Sequence, residues 1–219
     1  MQVDGRNHRV DRHGIIFEHF HQAAVAQVLI HRPDRLQADA QAGRGGVAQG
    51  FAMVELAAFR KLDDEIAIQV LERLLEHMGS GDEPPRLMAV EALQAWLSRG
   101  ETQVRTLAGC RIARRKTHLL IGREAGRINA KPVVIASGQS ILWDKRFTVS
   151  MAGSDRPCTI VPVKTLKLAR QGDIPAFVQD GLPAILTQGE IAAVPSLGIM
   201  GKAAPPGLRA GAEFRKIGL

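Results

Sequence analysis

The chain has 219 residues, 45% of them hydrophobic and 23% charged, so it is long enough to bury a full core and has the composition of a globular protein. No apolar run reaches the roughly 18 residues needed to cross a bilayer, and the opening MQVDGRNHRVDRHG lacks the apolar core of a secretory signal, so we expect a cytoplasmic protein with no membrane partner. The net charge of +7 favours an anionic partner.

Residues 1–48 differ from the rest because they hold five of the seven histidines and end in a glycine-rich GRGG. His19 and His21 are two positions apart, so on a strand they would share one side, as two metal ligands do. No cysteine or carboxylate cluster completes such a site, so we predict no metal here. We leave 1–48 unassigned, as a disordered or out-of-frame segment or a loosely attached helix.

Helical periodicity dominates residues 49–100, and its strong part begins at about Val54. Apolar side chains recur every three or four positions from Leu56 to Met78. Asp63 or Asp64 is suited to begin a helix, and Gly79 to end it as a C′ glycine. After the loop GSGDEPP a second helix is predicted. Its apolar face would consist of Leu87, Val90, Leu93, Trp96 and Leu97.

Beyond Gly100 the apolar pattern alternates, which is typical of strands. RTLAGCRIARR and HLLIGRE predict two strands of an antiparallel hairpin that turns near Lys116 and Thr117. Such a hairpin would bring its basic residues side by side.

The stretch ILWDKRFTV predicts one strand with Trp143 and Phe147 on its apolar face. Asp144 and Arg146 lie on the other face, two positions apart, and predict a surface ion pair.

The end of the chain predicts a short helix within KTLKLARQGDIPAFVQDG and a hairpin within LPAILTQGEIAAVPSLGI, with Gln188 and Gly189 at its tip. Residues 201–219, rich in Ala, Gly and Pro, predict a flexible tail. Cys110 and Cys158 are expected to be buried free thiols, because neither has ligand spacing around it. The fold class is therefore α+β, with a helical segment (49–100) followed by a small, mostly antiparallel and basic β domain (101–200).

Basic residues crowd the first predicted hairpin. The window from Arg105 to Lys131 holds eight basic residues and one acid, Glu124, so it accounts for the whole net charge. This distribution favours a nucleic-acid partner, although a solvated basic face with no partner would look the same.

Sequence motifs for catalysis are missing. The chain has no GxSxG, no GxGxxG and no Walker sequence, and capping explains the acidic run from Asp63 to Glu65. We therefore predict no catalytic, cofactor-binding or metal-binding residue, and a binding role.

Five pieces in the same order carry a family resemblance: RTLAGCRI, GREAGRI, ILWDKRFTV, IPAFVQDGLPAI and EIAAVPSLGI. They resemble the C-terminal portion of bacterial tRNA(Ile)-lysidine synthetases, with the WDGRF-like strand and the closing LPA…AVP.LG hairpin of that family. The helices between Val54 and Leu97 are similar to its middle segment. The resemblance covers about 50–200.

The resemblance implies tRNA as the partner. Enzymes of this family use ATP to adenylate the wobble cytidine of tRNA(Ile) and then join lysine to it, and their ATP site is an N-terminal PP-loop domain with the sequence SGGxDS. The chain contains no SGGxDS. We therefore expect no ligase activity from this polypeptide alone and no cofactor in it. A separate chain carrying the PP-loop domain would be a second partner.

The resemblance also makes the basic residues candidates for tRNA phosphate contacts. These candidates are Arg111, Arg114, Arg115, Lys116, Arg123 and Arg146.

Two departures from the family stand out. Lys145 replaces the usual glycine, so a positive φ there would be strained. Residues 1–48 match nothing in the family, which suggests a reading frame broken upstream. The alternatives are a non-functional or purely structural remnant without an RNA role and, ranked last, a small metal-binding protein built on the N-terminal histidines.

Overall fold

A computed structural model describes residues 50–79, 84–171 and 174–214. Within them it confirms the α+β class, with α-helices and three mostly antiparallel sheets. The expectations for residues 1–48, including the histidine metal site, lie outside the described residues. The helices are α1 (Leu56–Phe59), α2 (Asp64–Met78), α3 (Leu87–Arg99) and α4 (Ala176–Gln179).

Sheet I has the order β1-β4-β3-β2, with antiparallel neighbours throughout. Its strands are β1 (Phe51–Glu55), β2 (Arg105–Leu107), β3 (Cys110–Arg114) and β4 (His118–Arg123). The side chains of Ile112 and Ile121 face the helices, because paired residues share a side of the sheet.

Sheets II and III form the rest of the β structure. Sheet II has the order β11-β10-β9-β8-β5, and sheet III the order β12-β7-β6. The strands of sheet II are β5 (Val133–Ile135), β8 (Cys158–Pro162), β9 (Pro183–Thr187), β10 (Glu190–Val194) and β11 (Ile199–Met200). The strands of sheet III are β6 (Gln139–Trp143), β7 (Phe147–Ala152) and β12 (Arg209–Phe214).

Two hydrophobic cores fill the molecule. The first core lies between α1–α3 and sheet I, around Trp96 and Leu71, which are fully buried. The second core lies between sheets II and III and around α4, and Phe147 is its largest fully buried side chain. Phe214 packs against both cores. The first core takes residues from both sides of residue 100, from the helices and from the basic hairpin. The predicted domain boundary at residue 100 stays a prediction.

The helical predictions are right in position and wrong in three details. Asp63 occupies the N-cap position of α2, although its side chain makes no capping hydrogen bond. The buried stripe of α2 consists of Ala67, Val70, Leu71, Leu74, Leu75 and Met78. Residues 51–55, however, are strand β1, because Ala52 and Val54 enter the first core from an edge strand paired with β4.

The other two details concern Gly79 and Leu87. Gly79 has a φ of −83°, so it is not a left-handed C′ glycine; a Cβ atom there would collide with the backbone oxygen of Ala108. Leu87 is 54% exposed, because the buried positions of α3 begin one turn later at Val90.

The stretch ILWDKRFTV is a hairpin rather than one strand. β6 ends at Trp143 and β7 begins at Phe147, and these two residues pair with each other. Asp144 and Lys145 form the turn, with φ values of 47° and 55°. The prediction that Trp143 and Phe147 lie on a buried apolar face is correct.

The end of the chain corrects one prediction and confirms two. Residues 209–214, within the predicted flexible tail, form β12, which pairs with the whole of β7. The hairpin with Gln188 and Gly189 at its tip is present as β9 and β10, and the predicted short helix is α4.

Candidate nucleic-acid interface

The hairpin of β3 and β4 presents two predicted cations to solvent. Its turn is closed by the amide of Arg115, which donates to the carbonyl oxygen of His118 at 2.7 Å. The Arg115 and Lys116 side chains lie in this turn and are exposed. They stay candidates for contacts with phosphate.

The other two hairpin cations point to opposite faces of sheet I. Arg111 and Arg114 are three positions apart on β3, an odd spacing that separates their side chains. Arg111 is exposed and lies over the ring of Phe177, with 5.7 Å between its guanidinium carbon and the ring centroid. Arg114 lies at the end of α3. The expectation that the strands bring all basic residues side by side is therefore wrong.

Arg123 and Arg146 lie in the interior, where they share one carboxylate. The Nε atoms of Arg123 and Arg146 are 3.4 and 2.7 Å from Oδ2 of Asp144. The two arginines are only 6% and 2% exposed. The predicted Asp144–Arg146 pair is thus present but buried, not at the surface. We correct the expectation that Arg123 and Arg146 contact tRNA phosphates, because neither guanidinium reaches the surface.

Backbone carbonyl groups accept further hydrogen bonds from the arginines of this buried triad (Arg123, Asp144 and Arg146). Arg123 donates to the carbonyl oxygen of Gly79 at the end of α2, and Arg146 Nη2 donates to that of Gly181 at 3.1 Å. Burial lowers the pKa of Arg146, and the Asp144 carboxylate opposes that shift. The triad therefore connects α2, sheet I and the β6–β7 hairpin, which is a structural role.

A second group of arginines surrounds Glu101, directly after α3. The Arg99 Nε lies 2.6 Å and the Arg105 Nη2 3.5 Å from the Glu101 carboxylate oxygens. The Arg114 Nη1 is 3.4 Å from the Glu101 backbone oxygen. We call Arg99, Arg105 and Arg114 the arginine cluster. The cluster is not evident from the sequence, because Arg99 belongs to the helix and lies outside the basic window.

The two cysteines are free and buried, as predicted. Burial raises the pKa of the Cys110 thiol to about 12, and its Sγ atom is 3.3 Å from the Leu75 carbonyl oxygen. A protonated, enclosed thiol is a poor nucleophile and a poor metal ligand. Among the described residues, no group of three or more His, Cys, Asp or Glu side chains is placed to hold a metal ion. No helix in the described ranges is long and apolar enough to cross a membrane.

Comparison with known proteins finds several tRNA(Ile)-lysidine synthases that are similar to part of this chain. The chain is 28% identical over 155 residues to the tRNA(Ile)-lysidine synthase of Wolbachia sp. subsp. Brugia malayi, covering 66% of this chain and 35% of the relative. The enzyme of Wolbachia pipientis wMel is 26% identical over 70% of this chain and 37% of its own length. The enzyme of Rickettsia akari is 29% identical, and the match covers 51% of this chain and 26% of the relative.

These relatives confirm the resemblance to tRNA(Ile)-lysidine synthases that the sequence motifs indicate. The chain spans about a third of the length of the Wolbachia relatives. No family model matches the sequence.

Proposed function

We propose that this chain binds tRNA as part of a tRNA(Ile)-lysidine synthase-like activity, with the ATP chemistry supplied by a separate chain that carries the SGGxDS sequence. The similarity to enzymes named for their action on tRNA(Ile) supports this proposal. The observation that carries it is the exposed basic turn of the β3–β4 hairpin, with Arg115 and Lys116 at its tip.

The residues proposed to contact tRNA are Arg111, Arg114, Arg115 and Lys116. Contacts to phosphate oxygens position an RNA helix without reading its sequence, and A-form RNA is recognised largely by its shape. Arg111 and the turn residues are exposed and so accessible to a large ligand. The role of these side chains would be to hold tRNA while the chemistry takes place elsewhere.

Filter binding of tRNA(Ile) across a salt series tests this proposal. Each phosphate contact lowers log K by about 0.7 to 0.9 per unit of log salt. We expect the double substitution Arg115→Ala and Lys116→Ala to reduce the steepness of the salt dependence by about two contacts and to weaken binding at low salt.

The matched control replaces Lys202 and Arg209, two exposed cations outside the hairpin, by alanine. It removes the same charge, so an equal effect of both double substitutions would show attraction by net charge alone and contradict a role of the hairpin. Absence of tRNA binding by the unaltered chain would favour a structural remnant.

A further inference from the structure

Three guanidinium groups meet at Glu101 at the end of α3, two at its carboxylate and one at its backbone oxygen. Glu101 accepts from Arg99 at 2.6 Å, and Arg105 lies 3.5 Å from its other carboxylate oxygen. Arg114 approaches from β3 and reaches the Glu101 backbone oxygen at 3.4 Å. The site therefore carries three positive charges and one negative charge.

Local backbone structure explains why these groups meet. Gly100 ends α3 with a left-handed φ of 80°, which turns the chain so that Glu101 lies beside Arg99. Gly100 also leaves room for Arg114, because a Cβ atom there would be 3.3 Å from Arg114 Nη1.

Sheet I places the remaining arginine on the same side. Arg105 pairs with Ile112, and Arg114 is two positions further along β3, so Arg105 and Arg114 share the face that looks toward α3. The Arg105 guanidinium carbon lies 5.3 Å from the centre of the Trp96 ring, which limits the positions the guanidinium can occupy.

The arginine cluster has hydrogen-bond donors that Glu101 does not accept from. The Nε atom of Arg114 is buried and makes no hydrogen bond within the part of the chain that the structure describes. The last carbonyl groups of α3 add negative potential that favours the cations without occupying them. A planar guanidinium can bind either a carboxylate or a phosphate in a bidentate geometry, so the groups that now bind Glu101 are also suited to a phosphate.

The Glu101 carboxylate is exchangeable. The Glu101 side chain is 35% exposed and that of Arg99 is 57% exposed, so water competes with their ion pair. Such exposed pairs contribute little to stability, and their partners can be replaced by a ligand at small cost. Hydrogen bonding from Arg99 lowers the pKa of Glu101, so the carboxylate is ionised at neutral pH.

We propose that the arginine cluster is a phosphate-binding site for the RNA backbone and that Glu101 is its internal competitor. In the free protein the carboxylate occupies the position of the phosphate, and a phosphodiester group displaces it to bind Arg99, Arg105 and Arg114. That the ligand is RNA rests on the proposed function. The competition sets a threshold, because isolated phosphates bind weakly while a polyanion with other contacts on the hairpin displaces Glu101.

Removal of the competing charge tests the competition. We expect Glu101→Gln to tighten binding of pyrophosphate about 3- to 10-fold, read from the Nε–Hε signals of the three arginines in ¹H–¹⁵N spectra. Glu124→Gln is the matched control, because Glu124 is similarly exposed and, among the described residues, forms one ion pair, with Arg127 at 3.7 Å. It should leave pyrophosphate binding at the cluster unchanged.

A conservative variant controls for loss of local structure at the cluster. Glu101→Asp keeps the charge and should bind pyrophosphate as weakly as the unaltered chain. Unchanged affinity in Glu101→Gln, an equal gain in Glu124→Gln, or signals that do not respond to pyrophosphate would each overturn the proposal.

The same variants with tRNA separate this inference from the proposed function. Glu101→Gln should tighten tRNA binding about 3- to 10-fold at a given salt concentration and leave the slope of log K against log salt unchanged, because the same phosphate contact forms in both chains. If pyrophosphate binds the cluster with the expected pattern but tRNA does not bind at all, the site stands and the proposed function fails. If tRNA binds and the cluster signals stay unchanged, the proposed function stands and the site fails.

Discussion

Lys145 has a backbone conformation that glycine usually adopts. Its φ is 55°, and Asp144 before it has a φ of 47°, so two side-chain-bearing residues occupy the left-handed region in one tight turn. Left-handed residues with a Cβ atom cost about 1 kcal/mol each. A lysine at this position predicts strain if the positive φ is kept, and the structure keeps it.

Replacing Lys145 by glycine should therefore stabilise the fold by about 0.5 to 1 kcal/mol, because glycine adopts this φ without steric strain. The measurement is the free energy of unfolding from urea denaturation. Lys145→Ala is the control, because it removes the same side-chain contacts and keeps the strain. A glycine variant no more stable than the alanine variant would show that the turn is unstrained.

Individual residues also show which contacts cannot be predicted from the sequence. The pairing of Asp144 with Arg146 was predictable because the two are close in sequence. Its burial was not, since that depends on Arg123, Gly79 and Gly181, which reach the same point from distant parts of the chain. The arginine cluster escaped prediction for the same reason, as Arg99 and Arg114 meet only after β3 packs beside α3.

At the level of elements, short turns were the main source of error. The hairpin β2–β3 turns at Ala108 and Gly109, and β6–β7 at Asp144 and Lys145, yet apolar residues continue on both sides of each turn. Each stretch therefore looked like one strand. Gln188 and Gly189 were recognised because their strands have clear limits. The strong helical stripe of α2 was predictable because its period is maintained over four turns.

Strand β12 provides a test at this scale. Phe214 is half-buried and lies edge-on to Phe147, with 5.3 Å between ring centroids. Phe214→Ala should lower the free energy of unfolding by about 2 kcal/mol, less than the 3 to 5 kcal/mol of a fully buried phenylalanine. Glu213→Ala, an exposed neighbour on the same strand, should change stability by less than about 0.5 kcal/mol. Equal small effects of both changes would mean that β12 adds little to the fold.

At the scale of the whole molecule, the buried triad connects parts that contribute to both hydrophobic cores. Asp144 is the only acidic partner that the described ion pairs give to Arg123 and Arg146. One tryptophan lies in each core, Trp96 in the first and Trp143 in the second. The fluorescence of the two residues can therefore follow the two cores separately.

Asp144→Asn should destabilise the whole molecule by about 3 to 5 kcal/mol, because it leaves two buried guanidinium groups without a counter-charge. Urea unfolding of variants that retain only Trp96 or only Trp143 would measure this effect in each core. The exposed Asp155→Asn serves as the control. A loss confined to the Trp143 signal would show that the triad stabilises only the second core.

Sheet I also determines the order in which a growing chain can fold. Phe51 pairs with Gly122, so β1 leaves the ribosome well before its partner strand has been made. At about 5 to 20 residues per second this delay lasts roughly 4 to 14 seconds. During that time the apolar sides of β1, α1 and α2 have no sheet to cover them, so the first core can close only after β4 has been made.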